Sequence, residues 1–182
     1  MYLILIVVAL VLIAAVVMYN RFIRQRNILD EAWSGIDVQL KRRHDLIPNI
    51  VETVKGYAKH EKTVFEEITN LRSRLSGPAT IKEKGELENS FSQALKSIFA
   101  LAEAYPDLKA NQNFQDLQRI LAETEEQIQL SRRYYNGAAR DYNTMVESFP
   151  NNLLASMFGF AKADFFEIEL ATEREVPGVQ FT

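Results

Sequence analysis

Chemistry in this chain would have to begin at two histidines and their neighbours. His44 and His60 stand 16 residues apart, flanked by Lys41-Arg42-Arg43 and Asp45 on one side and Glu61 on the other. On one straight helix, at about 100° per residue, that separation puts the two rings on nearly opposite faces, so they do not share a metal. The Glu-x-x-His pair of di-iron helical bundles is missing, because Tyr57 stands three before His60 and Lys41 three before His44. The sequence contains no glycine-rich phosphate loop and no His-Glu-x-x-His motif. None of its serines has the strand-turn-helix setting of a nucleophile. With no cysteine, thiolate zinc sites, disulfides and cysteine nucleophiles are excluded. The chain is therefore expected not to be an enzyme, with no catalytic, cofactor-binding or metal-ligating residue and no cofactor. The contrary reading, an enzyme or metal protein, centres on His44 and His60, with Asp45 or the other carboxylates as the remaining candidates.

Two basic clusters have a simpler reading. Lys41-Arg42-Arg43-His44-Asp45 reads as a solvated helix face, with Asp45 paired one turn back to Lys41 or Arg42 and Arg43 touching the seam through its aliphatic stem. The other reading of Arg43 is a polar break in the core that selects register or binds an anionic partner. In the similar cluster Arg132-Arg133-Tyr134-Tyr135 with Arg140, Arg132 and Arg133 read as salt-bridge partners rather than nucleic-acid contacts, while Tyr135 belongs to an apolar seam. A formal net charge of −3 gives no overall attraction to nucleic acid.

The elements that carry these residues are helices. From Trp33 to Leu75 apolar residues recur in steps of four and three: Ile36, Leu40, Ile47, Ile50, Val54, Tyr57, Val64, Ile68, Leu71 and Leu75. Arg43 and Glu61 break that heptad seam. The pattern predicts one long rod, kinked near His44–Asp45 by Pro48 and stopped by Ser76-Gly77-Pro78, with a loop or short helix over Ala79–Gly85. A second amphipathic helix follows through Leu87, Phe91, Ala94, Ile98, Leu101 and Tyr105, ended by Pro106. A third runs from about Asn113 to Phe149 and stops at Pro150. Three such helices joined by short turns imply an all-α antiparallel bundle. The aromatic stretch Leu153–Phe166 either closes that bundle or lies in a membrane interface.

Ahead of the rod, every residue from Leu3 to Met18 is Leu, Ile, Val, Ala or Met, with Tyr2 and Tyr19 at the edges. Roughly 18 helical residues reach about 27 Å, close to a hydrocarbon core of about 30 Å. The tyrosines suit the two interfaces. The run lacks the basic start and small-residue cleavage site of a signal peptide, so an uncleaved single-pass anchor is expected. Arg21, Arg24 and Arg26 follow it directly, which by the positive-inside rule keeps the body cytoplasmic and a short N-terminus outside. The expected organisation is an anchor over 1–20, a helical-bundle domain over 21–171 and a flexible tail over 172–182.

Three stretches, AWSGIDVQLKRRHDLIPNIVETVKGYAKHE (32–61), SRRYYNGAARDYNTMVESFPNN (131–152) and ASMFGFAKADFFE (155–167), resemble the LemA family of bacterial membrane proteins. The resemblance implies a single-pass anchor followed by a helical-bundle domain, and it brings no catalytic residues; the expected location is the bacterial inner membrane. The expected function is a membrane-anchored scaffold acting by self-association, as a homo-oligomer with coiled-coil seams, or by binding a membrane-associated protein partner. The alternative is a membrane-shaping or lipid-binding protein that uses the aromatic C-terminal segment.

Overall fold

A computed structural model describes residues 1–58 and 61–167. Those residues form six helices and no strand: α1 (Tyr2–Lys55), α2 (Lys62–Leu75), α3 (Ile81–Glu103), α4 (Pro106–Lys109), α5 (Gln112–Glu147) and α6 (Asn151–Phe158). The all-α class is as the sequence predicts. The stretch assigned to a flexible tail, 172–182, lies outside the described residues, as does His60.

α1 is 54 residues long and runs unbroken through Gly35 and Pro48, the latter on an exposed face. The expected single rod to Leu75 is not what forms. α1 stops at Lys55, where Gly56 has little intrinsic preference for helix. Its last turn closes through Tyr57 N–H to the Val54 carbonyl (3.0 Å) and Ala58 N–H to the same oxygen (2.9 Å). Glu61, the second break in the seam, is the N-cap of α2. Because α2 starts afresh, its inward face is Phe65, Ile68, Leu71 and Leu75. Val64 is only partly buried, and Tyr57, past the end of α1, is left exposed.

α3 begins earlier than the apolar spacing suggests. Thr80 caps it with a reciprocal box: the Thr80 hydroxyl accepts from Glu83 N–H (3.2 Å) and the Glu83 carboxylate accepts from Thr80 N–H (2.8 Å). Satisfying two free backbone donors at once is what sets the helix start there. The two hydrogen bonds from Thr80 hold the Glu83 carboxyl below its ordinary range. α5 starts behind Asn111, whose side-chain oxygen accepts from Phe114 N–H (3.1 Å).

The chain divides into two compact units. The first comprises Met1–Lys41 and Glu126–Phe165. In it α5 runs antiparallel to α1: Trp33 meets Tyr135 edge-on at 5.4 Å, while the charge of Arg26 acts on Tyr142 further along α5. Phe22, Leu29, Ala32, Ile36 and Leu40 of α1 are buried here, with Ile128, Tyr135, Ala139 and Tyr142 of α5. The second comprises Arg42–Glu125 together with Phe166 and Glu167 of the described residues. Its core is one continuous apolar cluster built on Ile47, Ile50 and Val54 of α1, Ile68 of α2, Phe91 and Ile98 of α3, and Phe114 and Leu121 of α5.

The Leu153–Phe166 stretch does not supply a fourth bundle helix. α6 has eight residues and buries Ala155 alone. Gly159, at φ 72°, ends it, with Phe160 N–H bonded back to the Ala155 carbonyl (2.9 Å). A positive φ is strained for any side chain, which makes glycine the suitable residue at that turn.

Candidate functional site

The second unit carries a buried polar cluster at the turn of α1 that holds Arg43. The seam asks for an apolar residue there: Leu40 and Ile47, one turn to either side, are both buried. Arg43 occupies the position fully buried, guanidinium included, so the solvated-face reading fails for this residue while Lys41, Arg42 and Asp45 are exposed. Neighbouring helices provide for its charge. Glu88 of α3, also fully buried, accepts a charged hydrogen bond from Nη2. Nη1 donates to Glu125 Oε1 of α5 (2.6 Å) and to Ser92 Oγ of α3 (3.1 Å). Glu88 and Ser92 are four apart and Phe91 lies between them, so one face of α3 presents all three. The Ser92 hydroxyl donates in turn to the Glu88 carbonyl (2.9 Å). The guanidinium carbon sits 5.2 Å from the centre of the Phe91 ring, within range of a cation–π contact.

His44 is beside this cluster. Its ring meets Phe91 edge-on at 5.1 Å, and Nε2 stands 3.0 Å from Glu88 Oε1, off hydrogen-bond geometry, so neither atom has a hydrogen-bond partner. One guanidinium faces two carboxylates.

This arrangement suits holding α1, α3 and α5 in one register within the second unit. A one-turn slip of any of them would strand a buried charge, at a cost of several kcal/mol. It does not suit substrate chemistry, since Arg43 and Glu88 are closed to solvent and turned on each other. Among the described residues no group of three or more His, Cys, Asp or Glu is placed to hold a metal. An open groove of about 550 Å³ beside α2 is lined by Lys55, Lys62, Phe65, Glu66, Thr69, Asn70 and Ser73, whose polar side chains are all exposed, unlike those around Arg43.

The first unit has its own fixed feature. After Gly159 the chain turns back along α5 and is pinned there. Asn143 donates to the Ala163 carbonyl (2.9 Å) and accepts from Ala163 N–H (2.8 Å), while Tyr135 donates its hydroxyl to the Asp164 carbonyl (2.8 Å). Lys162 pairs with Glu147 at 2.8 Å, which raises the lysine's pKa. Burial, with Asp164 and Asp30 nearby, pushes the Tyr135 phenol up to about 12. Of the second basic cluster, Tyr135 is the seam residue foreseen and Arg140 pairs with the adjacent Asp141 (3.2 Å). Asn143 gave no signal in the sequence. Glu88 gave none either, being one residue from the apolar position expected at Leu87. Arg43 did, as an interruption of the seam.

Fold and cluster together define a class: an all-helical protein whose first helix is apolar and long enough to cross a membrane, with a body held by a buried ion pair. The chain belongs to the LemA family, whose model matches residues 32–181. It is similar to the protein LemA of Metamycoplasma hominis, 26% identical over 161 residues that cover 88% of this chain and 71% of that one. It is also similar to the magnetosome proteins MamQ 1 and MamQ 2 of Paramagnetospirillum magneticum, each 25% identical over 175 residues. Those matches cover 82% of this chain and 64% of each MamQ, so the chain spans a little under two thirds of their length.

Proposed function

We propose that this protein is a membrane-anchored helical scaffold that acts by contact, with itself or with a protein partner, and not by catalysis. The observation that carries this reading is the continuity of α1: a single 54-residue helix is both the apolar span and a core element of the folded body. Such a helix ties whatever the body binds to a fixed place at the bilayer. The heptad seams support a narrower version than the sequence suggested. Ile36, Leu40, Ile47, Ile50 and Val54 are buried within one chain, so association would use other surfaces. Leu130 and Tyr134, one turn apart on α5 and both exposed, offer one such surface. Arg21, Arg24 and Arg26 favour a cytoplasmic body on a bacterial inner-membrane anchor.

The test is the mass of the full-length protein in nanodiscs, with co-purifying proteins identified. A defined homo-oligomer or a stoichiometric partner, lost on Leu130→Glu with Tyr134→Glu, is the expected result. A lone monomer with no partner would overturn the reading.

A further inference from the structure

α6 stands against the end of the apolar span. Tyr19, the first residue after the run Leu3–Met18, has the Phe158 ring at 5.0 Å and the Phe160 ring at 5.8 Å. One turn on, Phe22 stacks on Phe160 at 4.7 Å with the planes 9° apart. These contacts, all inside the first unit, bring the C-terminal end of α6 to the depth at which α1 leaves the hydrocarbon. The interfacial layer there is only about 5–7 Å thick on each side.

The outer side of α6 has the wrong chemistry for water. At 100° per residue Leu153 and Met157 point directly away from the buried Ala155, with Leu154 to one side, while Phe158 lies toward the Ala155 side, where it meets Tyr19. Leu153 is 59% exposed and Met157 77%, and Phe149, in the turn just ahead of the helix, is 80% exposed. Asn152 and Ser156 occupy one flank. On the span's side of the same unit Arg21, Arg24 and Arg26 are exposed, at a level where anionic headgroups attract cations. A short helix with one apolar face, flanked by small polar residues and joined by stacked aromatics to a membrane boundary, is suited to lying in that boundary.

We infer that α6 is a second membrane contact: Leu153 and Met157 enter the interface of the bilayer that α1 spans, with Phe149 in the turn ahead of the helix and Phe158 beside Tyr19. The occupant of this apolar face is lipid, because the face is continuous through Tyr19 with a surface already committed to lipid. The inference rests on α1 being in the membrane. It adds that the body is held at two points. The span alone would leave the first unit free to tilt against the bilayer, whereas α6 fixes the side on which it rests.

The absence of cysteine makes the test direct. Single substitutions Val11→Cys, Leu153→Cys, Ser156→Cys, Met157→Cys and Lys96→Cys in the full chain are each given a nitroxide label. The proteins are reconstituted in vesicles of phosphatidylcholine with phosphatidylglycerol, with helicity checked by circular dichroism. Collision with oxygen, which concentrates in lipid, is compared with collision with a water-soluble nickel chelate. Leu153 and Met157 labels are expected to show an oxygen-to-nickel ratio severalfold above that of exposed Lys96, approaching that of Val11, with Ser156 between. Nickel access at Leu153 and Met157 equal to that at Lys96, with Val11 shielded, would overturn the inference and leave the anchor standing. Loss of access to both reagents would also overturn it, by showing a second copy or a partner protein on the face. Nickel access at Val11 would remove the anchor and this inference together.

Discussion

Replacing Arg43 by Met should be among the most damaging single changes in the body, and the reason is Glu88. Both side chains are wholly buried, so removing the guanidinium leaves a carboxylate with no solvent and no charged partner except the misaligned His44. Stranding one member of a buried pair costs ~3–5 kcal/mol. For a folded body of this size each kcal/mol moves the melting temperature by about 2–4 °C, so Arg43→Met should lower it by roughly 6–20 °C. The reverse substitution is milder. Glu88→Met leaves Arg43 bonded to Glu125 at 2.6 Å and Ser92 at 3.1 Å, so a loss of ~1–3 kcal/mol is expected. Glu125→Gln should cost about 1 kcal/mol or less, because that carboxylate is 36% exposed and can be solvated. The double change Arg43→Met with Glu88→Met should recover most of the loss, since an apolar pair of similar volume is often neutral or better by ~1–4 kcal/mol. The assay is thermal unfolding of the full-length protein in a mild detergent, followed by far-ultraviolet circular dichroism. A loss below about 1 kcal/mol for Arg43→Met, or a double variant as unstable as the sum of the singles, would refute the account of a desolvated pair.

Further outcomes follow from other contacts. Tyr135 has its phenol raised to about 12 against an ordinary value of 10, so its contribution is intact below pH 10 and is lost as pH rises from there through 12. Melting temperature measured across that window should fall more steeply for the parent than for Tyr135→Phe, which should itself cost ~1 kcal/mol for the missing bond to Asp164. Gly85→Ala should destabilise by ~1–3 kcal/mol despite better helix propensity, because the new methyl would stand 2.8 Å from the Glu167 carbonyl oxygen and displace the strand of chain bearing buried Phe166. Gly35→Ala and Gly137→Ala, in helix interiors with nothing near the added methyl, should each stabilise by ~0.5–1 kcal/mol in the same melts. Asn143→Ala removes both bonds to Ala163 and should speed hydrogen exchange at the Ala163 amide while costing ~1–3 kcal/mol.

Much of the architecture is local, and so it is legible in the sequence. The apolar run Leu3–Met18, the stops at Ser76-Gly77-Pro78 and Pro106, and the four-three spacing along α5 each depend on residues within a few turns. Where the expectation failed, the deciding signal was also local but weak. A seam read across Gly56 carries Ile50 and Val54 on to Val64 as one rod, yet helix propensity at Gly56 and the irregular Glu61 divide it. The Thr80-x-x-Glu83 box likewise settles the start of α3 where apolar spacing is silent.

The polar interior was decided by tertiary structure. Sequence marks Arg43 as an anomaly, but whether an arginine at a seam position reaches water or is swallowed depends on carboxylates 45 and 82 residues away. Glu88 and Glu125 look like ordinary surface glutamates until α3 and α5 bring them to one point. Asn143 and the backbone it grips, 20 residues on, are related in the same way. Periodicity reports which face of a helix is apolar, because that is set by burial against any partner. It cannot report which polar groups will meet, because desolvation, charge and hydrogen-bond geometry act only once distant segments are in contact. The sequence by itself thus determined a helical body on an apolar first helix; the ion pair within it and the placement of α6 beside Tyr19 arise only from the folded chain.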